Sequence, residues 1–500
     1  MALDLDTYRQ GAETFVSELD REYYLHLAGH KPSLEIEAIY GAHSSLFDRS
    51  VVAAIREEAG AVKPGGDEER RLRCLLSFAL DGLLGRETRG EAEEGARLEA
   101  TLVVDAGHGA IPFRQVPIEQ ANEPDPARRA ALEAARDALL AEHLNPLHRA
   151  AMERSHALCH DLGWASYADA YAEVRGIDLD RLAGQTRAFL AATDETYPEL
   201  VDPRLDGAGL PPLGRLARSD VPRFFRSAEL DPFFPADSLV GSLERTLGGL
   251  GVDLRAQSNV HLDTEPRATK SPRAFCSPVR VPGEVYLVIA PVGGRDDFAA
   301  LFHEAGHTEH YANTAAGNPF EFRHLGDNSV TESFAFLLEH LTEDPVWLGD
   351  VLGMADPSAA IAQARASRLV LLRRYAAKIT YELDLHGADP DLAEMPARYA
   401  EVLGSATRIR WPEAAFLSDV DAGFYVASYL RAWALETHWR RALRERFGDR
   451  WYSSEEAGRW LLGLWAHGQR LDADELLAEE LGSELDFADV AAEVAEWTAG

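Results

Sequence analysis

The sequence predicts a mainly α-helical protein with one small β-hairpin. Long stretches of the 500 residues carry apolar residues three and four positions apart, which is typical of amphipathic helices. The composition changes in 260–292, where Pro, Val and Thr are frequent and a Val-Pro-Gly-Glu turn separates two apolar runs. That segment predicts a hairpin of Ala274–Arg280 with Glu284–Ala290.

The predicted helices can be followed in order along the chain. Asp67–Leu84 has an apolar stripe, and Ala127–His143 has a long amphipathic pattern. Helices continue through Asn145–Val174 and Asp178–Leu200 to a Pro- and Gly-rich connector, Pro203–Pro212, which favours a hinge between two lobes. The helices predicted after the hairpin, apart from the motif helix described below, are Val330–Leu341, Ile361–Leu385, Leu392–Leu403, Ala422–Phe447 and Glu455–Trp465.

Charge and composition exclude several classes of partner. The formal net charge is −33, from 50 basic and 83 acidic side chains, and such a surface repels phosphate backbones, so we expect no nucleic-acid partner.

The first residues lack the pattern of a secretory signal, and no apolar run approaches the roughly 20 residues of a membrane helix. The three cysteines, Cys74, Cys159 and Cys276, lie far apart, which suits a reducing compartment. We therefore expect a cytoplasmic protein without a membrane partner.

One stretch, Phe298–Asn313, carries residues with metal chemistry. It reads FAALFHEAGHTEHYAN and contains His303-Glu304-Ala305-Gly306-His307, the H-E-x-x-H pattern. On a helix, two histidines four residues apart lie on one face and can share a metal ion. Glu304 is rotated off that line, where it can orient or deprotonate a water without being a ligand.

The flanking residues support a helix at this motif. Gly293-Gly294 interrupts the preceding segment, and we expect Asp296 or Asp297 to cap the exposed N–H groups. The alternative is a buried amphipathic helix that carries two histidines for packing. His156 and His160 have the same spacing without the following acid, and we interpret them as packing or surface residues.

A catalytic zinc site needs a third protein ligand. Asn313 occupies the position of the third histidine in the metzincin pattern, and His310 is too close to His307 on the same helix. A glutamate from a second helix is the remaining common solution, and we choose Glu332, in the first turn of an apolar helix. Its alternative role is a capping box with Ser329. The candidates were Glu309, Glu321, Glu332 and Glu339.

The block HEAGHTEHYAN…SVTESFAFLLE resembles the zinc-binding core of the thimet oligopeptidase and oligoendopeptidase F family. In that family a ligand glutamate follows the second histidine by about 25 residues, and another glutamate lies seven further on; Glu332 and Glu339 match both spacings. We expect Glu339 to accept the outer N–H of a ligand histidine, against the alternative of a surface charge. The upstream Arg273-Ala274-Phe275-Cys276 and the Gly-Gly-Arg-Asp-Asp-Phe lead-in at 293–298 also fit the family's strand-then-helix approach, and FYVASYL at 424–430 is similar to its tyrosine segment. A more distant resemblance is to angiotensin-converting enzyme and the thermostable carboxypeptidases.

The resemblance implies a two-lobed helical clam-shell metallopeptidase that acts on short peptides. The chain, 1–500, would form one catalytic unit with an N-terminal helical lobe of about 1–200 and a zinc-binding lobe of about 213–500. The residues that would bind zinc are His303, His307 and Glu332. Glu304 would be the general base for a metal-activated water. Tyr425 would donate a hydrogen bond to the oxyanion, and Tyr429 would contact substrate or share that role. Arg273 would contact substrate, and both tyrosines have an alternative role as core aromatic residues.

One departure from the family pattern is clear. Ser418–Gly423, just before the tyrosines, contains no histidine where family members carry one. This departure prompts two alternatives, a zinc hydrolase dedicated to a modified peptide or small molecule, and a pseudopeptidase that binds peptides without cleavage. The presence of Glu304 argues against the second. The ligand types suit zinc but would accept cobalt or manganese, and a homodimer is compatible with the sequence.

Overall fold

The computed structural model describes residues 3–107 and 109–499, which are mainly helical, as predicted. The α-helices before residue 230 are α1 (Leu5–Leu27), α2 (Ile36–Ala42), α3 (Arg49–Ala61), α4 (Asp67–Glu87), α5 (Arg89–Thr101), α6 (Val116–Asn122), α7 (Pro126–Leu139), α8 (Asn145–Asp161), α9 (Tyr167–Arg175), α10 (Leu179–Ala192), α11 (Thr196–Gly207) and α12 (Val221–Arg226). Those that follow are α13 (Ala236–Gly249), α14 (Arg295–Ala312), α15 (Phe320–His324), α16 (Asn328–Leu341), α17 (Pro345–Leu352), α18 (Ser358–His386), α19 (Met395–Thr407), α20 (Tyr425–Phe447), α21 (Glu455–Ala466), α22 (Ala473–Leu481) and α23 (Ala488–Ala499).

The start of the predicted connector is helical instead. Pro203 lies inside α11, so the expected break at this residue is wrong and the helix continues to Gly207. Tyr197, Val201 and Leu205 of α11 are fully buried, and their packing outweighs the loss of one helical hydrogen bond at the proline. The predicted helix Ala127–His143 corresponds to α7 and a π-helical turn that leads directly into α8.

Two small sheets accompany the helices. In the first, β1 (Val103–Asp105) pairs antiparallel with β2 (Ala110–Pro112). The second has the order β3-β5-β4, with β3 (Val260–Asp263) parallel to β5 (Glu284–Val288) and β4 (Phe275–Arg280) antiparallel to it. Strands β4 and β5 are the predicted hairpin, and β4 lies at the edge of its sheet.

The chain forms two compact units, each assembled from three segments. The first contains residues up to 80 together with 228–361 and 431–486, and the second contains 81–227, 362–430 and the residues from 487 onward. The lobes predicted from the sequence follow the order of the chain, whereas packing groups segments that are far apart in it. The motif helix α14, the second sheet and α16 all belong to the first unit.

Each unit has its own buried core. In the first, Phe298 packs edge-on against Phe234, and Phe302 packs edge-on against Trp347, which holds the buried side of α14. In the second, α18 and α19 contribute to an apolar cluster that also includes residues of α7 and α8. No helix in the described ranges is both long and apolar enough to cross a membrane.

Candidate metal centre

Helix α14 begins at a glycine turn and has no side-chain cap. Gly293 and Gly294 have φ angles of 89° and 93°, and a Cβ on Gly293 would lie 2.8 Å from the backbone nitrogen of Ala236. The expectation that Asp296 or Asp297 caps the helix is wrong. Asp297 lies within the first turn, and its carboxylate accepts hydrogen bonds from the main-chain N–H groups of residues 292 and 293, which fixes the loop that precedes the helix.

The second helix, α16, is capped by Asp327. Its side chain accepts a hydrogen bond from the N–H of Ser329, 2.9 Å away, so the capping box that would have used Glu332 is not formed. Asp327 is itself held by the guanidinium of Arg431 at 2.5 Å and by the N–H of Ala473 at 3.0 Å. Burial alone would raise the pKa of Asp327, but the charge of Arg431 together with the hydrogen bonds from Ser329 and Ala473 holds the pKa below the usual value. The cap of α16 is thus a buried carboxylate rather than Glu332.

Helices α14 and α16 touch at Gly306. A Cβ at this position would lie 2.4 Å from the carbonyl oxygen of Phe334 and 2.5 Å from the Cα of Ala335. Only a glycine therefore permits this approach of the two backbones. Gly306 lies between His303 and His307 on α14, and Phe334 and Ala335 follow Glu332 on α16. The contact therefore sets the distance between the two histidines and Glu332.

The three predicted ligands converge across this contact. Nε2 of His303 lies 3.4 Å from Oε2 of Glu332, and Nε2 of His307 lies 3.5 Å from the same oxygen. Donor atoms on a tetrahedral zinc ion with bonds of about 2.0–2.1 Å must lie roughly 3.3 Å apart. One donor from each of the three residues also lies within 4.8 Å of the others. Both the donor types and their spacing therefore fit zinc.

The Nδ1 atoms of the two imidazoles also have hydrogen-bond partners. Nδ1 of His303 lies 2.8 Å from Oε2 of Glu339, and because a carboxylate only accepts, Nδ1 donates this hydrogen bond. Nε2 therefore faces Glu332 and is the nitrogen that can take up a metal ion or a second proton. Nδ1 of His307 lies 2.8 Å from Oγ1 of Thr331. The contact of Glu339 is the one expected from its spacing. Thr331 was missed by the sequence reasoning, although its position directly before Glu332 on α16 is a usable signal.

The electrostatics of the centre favour a bound cation. Burial would lower the pKa of His303, but hydrogen bonds and charges from Glu332 and Glu339 raise it well above its usual value. Burial would raise the pKa of Glu332, but the neighbouring His307 and His303 hold it far below the usual value. The two carboxylates thus stabilise positive charge at this point, which can be supplied by a proton or by a metal ion. Protons and metal should compete for the site.

Glu304 is placed beside the ligands by the edge strand. Its Oε2 accepts a hydrogen bond from the main-chain N–H of Cys276 in β4, 2.8 Å away. Between residues 301 and 310, only His303, Glu304 and His307 remain partly exposed, and the rest of that stretch is buried. The motif therefore presents two nitrogen ligands and one carboxylate on an otherwise buried stretch of α14.

The competing ligand candidates have other partners. Glu309 is buried and accepts hydrogen bonds from the amide of Gln257, and burial raises its pKa to about 7. Glu321 forms an ion pair with Arg9 at 2.6 Å. His310 is fully buried, its Nε2 donates to the carbonyl oxygen of Gly468, and burial lowers its pKa to about 3. These three side chains have roles in packing.

The remaining predicted site residues are Arg273 in the first unit and the two tyrosines in the second. Arg273 is exposed just before β4. Tyr425 begins α20 and Tyr429 follows one turn later, with ring centroids 5.0 Å apart. The turn before Tyr425 contains two left-handed residues, Gly423 and Phe424, at φ 62° and 55°. The catalytic and substrate roles of these residues stay predictions.

Comparison with known proteins adds no family assignment. A scan against protein-family models finds no match for the chain, and a search of the curated proteins finds none. The function proposed below therefore depends on the geometry of the centre and on the residue patterns that led to it.

Proposed function

We propose that this protein is a zinc-dependent metallopeptidase that hydrolyses short oligopeptides, with Glu304 as the general base. The observation that supports it best is the convergence of two imidazole nitrogens and one carboxylate oxygen at separations of 3.4 and 3.5 Å, beside a second, partly exposed carboxylate. A purely structural histidine pair would not require an accessible acid at this position. The H-E-x-x-H arrangement with a downstream glutamate is typical of hydrolytic zinc sites.

The chain's own residues have distinct roles in this proposal. His303, His307 and Glu332 hold the metal, while Glu339 and Thr331 keep the imidazoles oriented. Bound zinc would lower the pKa of a water and polarise a carbonyl group. Glu304 would take a proton from the attacking water and deliver it to the leaving amine.

The position of Glu304 supports a peptide as the substrate. Its carboxylate accepts a hydrogen bond from β4, one of the two edge strands of the sheet, and an edge strand can hold an extended peptide through main-chain hydrogen bonds. The resemblance adds Tyr425 as a donor to the oxyanion and Tyr429 and Arg273 as substrate contacts. The clam-shell arrangement, the cytoplasmic location and zinc as the physiological metal belong to the same proposal.

Hydrolysis of a quenched fluorescent peptide library by the zinc-loaded protein tests the proposal. Glu304→Gln should lower the rate by about 10²–10⁴-fold while zinc content stays unchanged, because it removes the base and no ligand. Glu445→Gln, an exposed acid on α20, is the matched control and should leave the rate unchanged. No cleavage by the wild type, or full activity in Glu304→Gln, would contradict the proposal. Cleavage of one defined modified peptide alone would favour the dedicated hydrolase.

A further inference from the structure

The first unit contains a second group of metal-ligating side chains. One donor atom from each of His467, Glu479 and Glu480 lies within 4.8 Å of the other two, and Nε2 of His467 is 3.0 Å from Oε1 of Glu480. His467 directly follows α21, and the two glutamates lie in the last turn of α22. One imidazole and two carboxylates, drawn from separate helices, form a donor set that suits zinc and similar divalent ions.

The charges in this group are not balanced by the protein. Within the part of the chain that the structure describes, no lysine or arginine pairs with Glu479 or Glu480, and the neighbouring side chain is His467, whose Nε2 contacts Glu480. Two carboxylates held this close repel each other, and a single imidazole, whatever its protonation state, cannot offset two negative charges. The whole chain carries a net charge of −33, which further favours uptake of a cation. A divalent ion would neutralise both carboxylates.

The turn that carries His467 contacts the end of the motif helix. The carbonyl oxygen of Ala466 accepts a hydrogen bond from the N–H of Ala315 at 3.1 Å, and that of His467 accepts one from the amide of Asn318 at 3.0 Å. Gly468 has a φ of 60°, and a Cβ on it would lie 2.6 Å from the carbonyl oxygen of Phe322. The turn is therefore closely packed against the residues that follow α14.

The same turn reaches both helices of the metal centre. The carbonyl oxygen of Gly468 accepts a hydrogen bond from His310 of α14, one turn after His307. The side-chain amide of Gln469 donates to the carbonyl oxygen of Asp327, the cap of α16, at 3.2 Å. The 466–469 turn therefore supports both ligand helices, and its position depends on how α22 packs against α21.

We propose that His467, Glu479 and Glu480 bind a second divalent cation of the zinc class, which fixes α22 to the end of α21. The role of this ion is structural: it holds the 466–469 turn against α14 and α16. The site is separate from the ligands His303, His307 and Glu332, and it does not depend on the proposed peptidase activity.

Zinc binding by the full-length chain tests the site. In equilibrium dialysis against buffered free zinc, from nanomolar to submillimolar concentrations, the wild type should bind one ion tightly and a second more weakly. His303→Ala should lose the tight ion and retain the weaker one. Glu479→Gln should weaken the second ion by at least about tenfold and leave the first unchanged, because it replaces one exposed ligand by a side chain of the same shape.

Glu484→Gln provides the control, since Glu484 is also an exposed acid and lies outside the group. It removes the same charge and should not change the binding of either ion. A single zinc ion per wild-type chain across the whole range would overturn the proposal. Equal binding of the second ion by Glu479→Gln and Glu484→Gln would overturn it as well.

The structural role has its own readout in a background without the first site. Zinc should raise the midpoint of thermal unfolding of His303→Ala and slow amide hydrogen exchange in the 464–480 segment. Both effects should disappear in His303→Ala/Glu479→Gln. Binding of the ion without either effect would contradict the structural role. Because both variants lack His303, a ligand of the first site, the result is independent of whether the wild-type protein cleaves peptides.

Discussion

Replacing Gly306 by alanine tests whether the contact between α14 and α16 sets the geometry of the metal centre. The added Cβ would lie 2.4 Å from the carbonyl oxygen of Phe334 and 2.5 Å from the Cα of Ala335, whereas ordinary contacts of a Cβ begin at 3.4 Å. Both neighbours are backbone atoms, which cannot rotate away as a side-chain tip can. The two helices must therefore separate locally by about 1 Å.

That separation is large for a metal site. Both histidines are on α14 and Glu332 is on α16, so the distances of 3.4 and 3.5 Å between their donors should lengthen by a comparable amount. Metal–ligand bonds tolerate deviations of only about 0.2 Å. We expect zinc affinity to fall by at least about 100-fold and the free energy of unfolding of the metal-free protein to fall by about 1–3 kcal/mol.

Competition with a chelator measures the zinc affinity, and thermal unfolding of the metal-free protein measures stability. Gly241→Ala is the matched control, because Gly241 lies in helix α13 and no heavy atom lies within 4 Å of an added Cβ. It should retain zinc affinity and gain about 0.4–1 kcal/mol of stability. Wild-type zinc affinity in Gly306→Ala would refute the reasoning.

Three further predictions concern the supports of the centre. Asp20 lies in α1, and its main-chain carbonyl oxygen accepts a hydrogen bond from Ser277 of β4. Burial raises the pKa of Asp20 to about 7, so stability from its protonated form is fully present below about pH 4 and is lost as the pH rises from there through 7. Asp20→Asn should remove this loss, about 4 kcal/mol, in thermal unfolding compared at pH 4 and 8; equal pH dependence in both proteins would contradict it. Thr331→Val should weaken zinc binding about 10–100-fold in chelator competition, whereas Thr342→Val, at the residue directly after the same helix, should not. Arg431→Met should lower the free energy of unfolding by about 3–5 kcal/mol in denaturant titration, because Asp327 is left buried without its charge partner; an unchanged midpoint would contradict this.

Local patterns were enough to locate the helices and the hairpin around the centre. The apolar spacing in 298–313 and 330–341 predicted α14 and α16 because each helix buries one face, a property visible in a short window. The turn between the two apolar runs likewise predicted β4 and β5. The i, i+4 spacing of His303 and His307 required only helical geometry.

Other features depend on contacts between distant residues and could not be derived locally. Glu332 could be a ligand or half of a capping box, and the capping box is excluded because Asp327 caps α16 instead. Asp327 is in turn held by Arg431, about 100 residues away in the sequence. Pro203 appeared to end a helix, but buried neighbours in α11 outweigh its local preference. His467 and Glu479 approach each other only through the packing of α21 and α22, so no spacing in the sequence singled them out.

The most direct test of the proposed centre is the zinc content of the wild type and Glu332→Ala, prepared side by side at nanomolar free zinc and measured by elemental analysis. The weaker second ion should not contribute at this concentration. We predict one zinc ion per wild-type chain and almost none in Glu332→Ala. Equal zinc content in the two proteins, or none in the wild type, would contradict a metal centre formed by His303, His307 and Glu332.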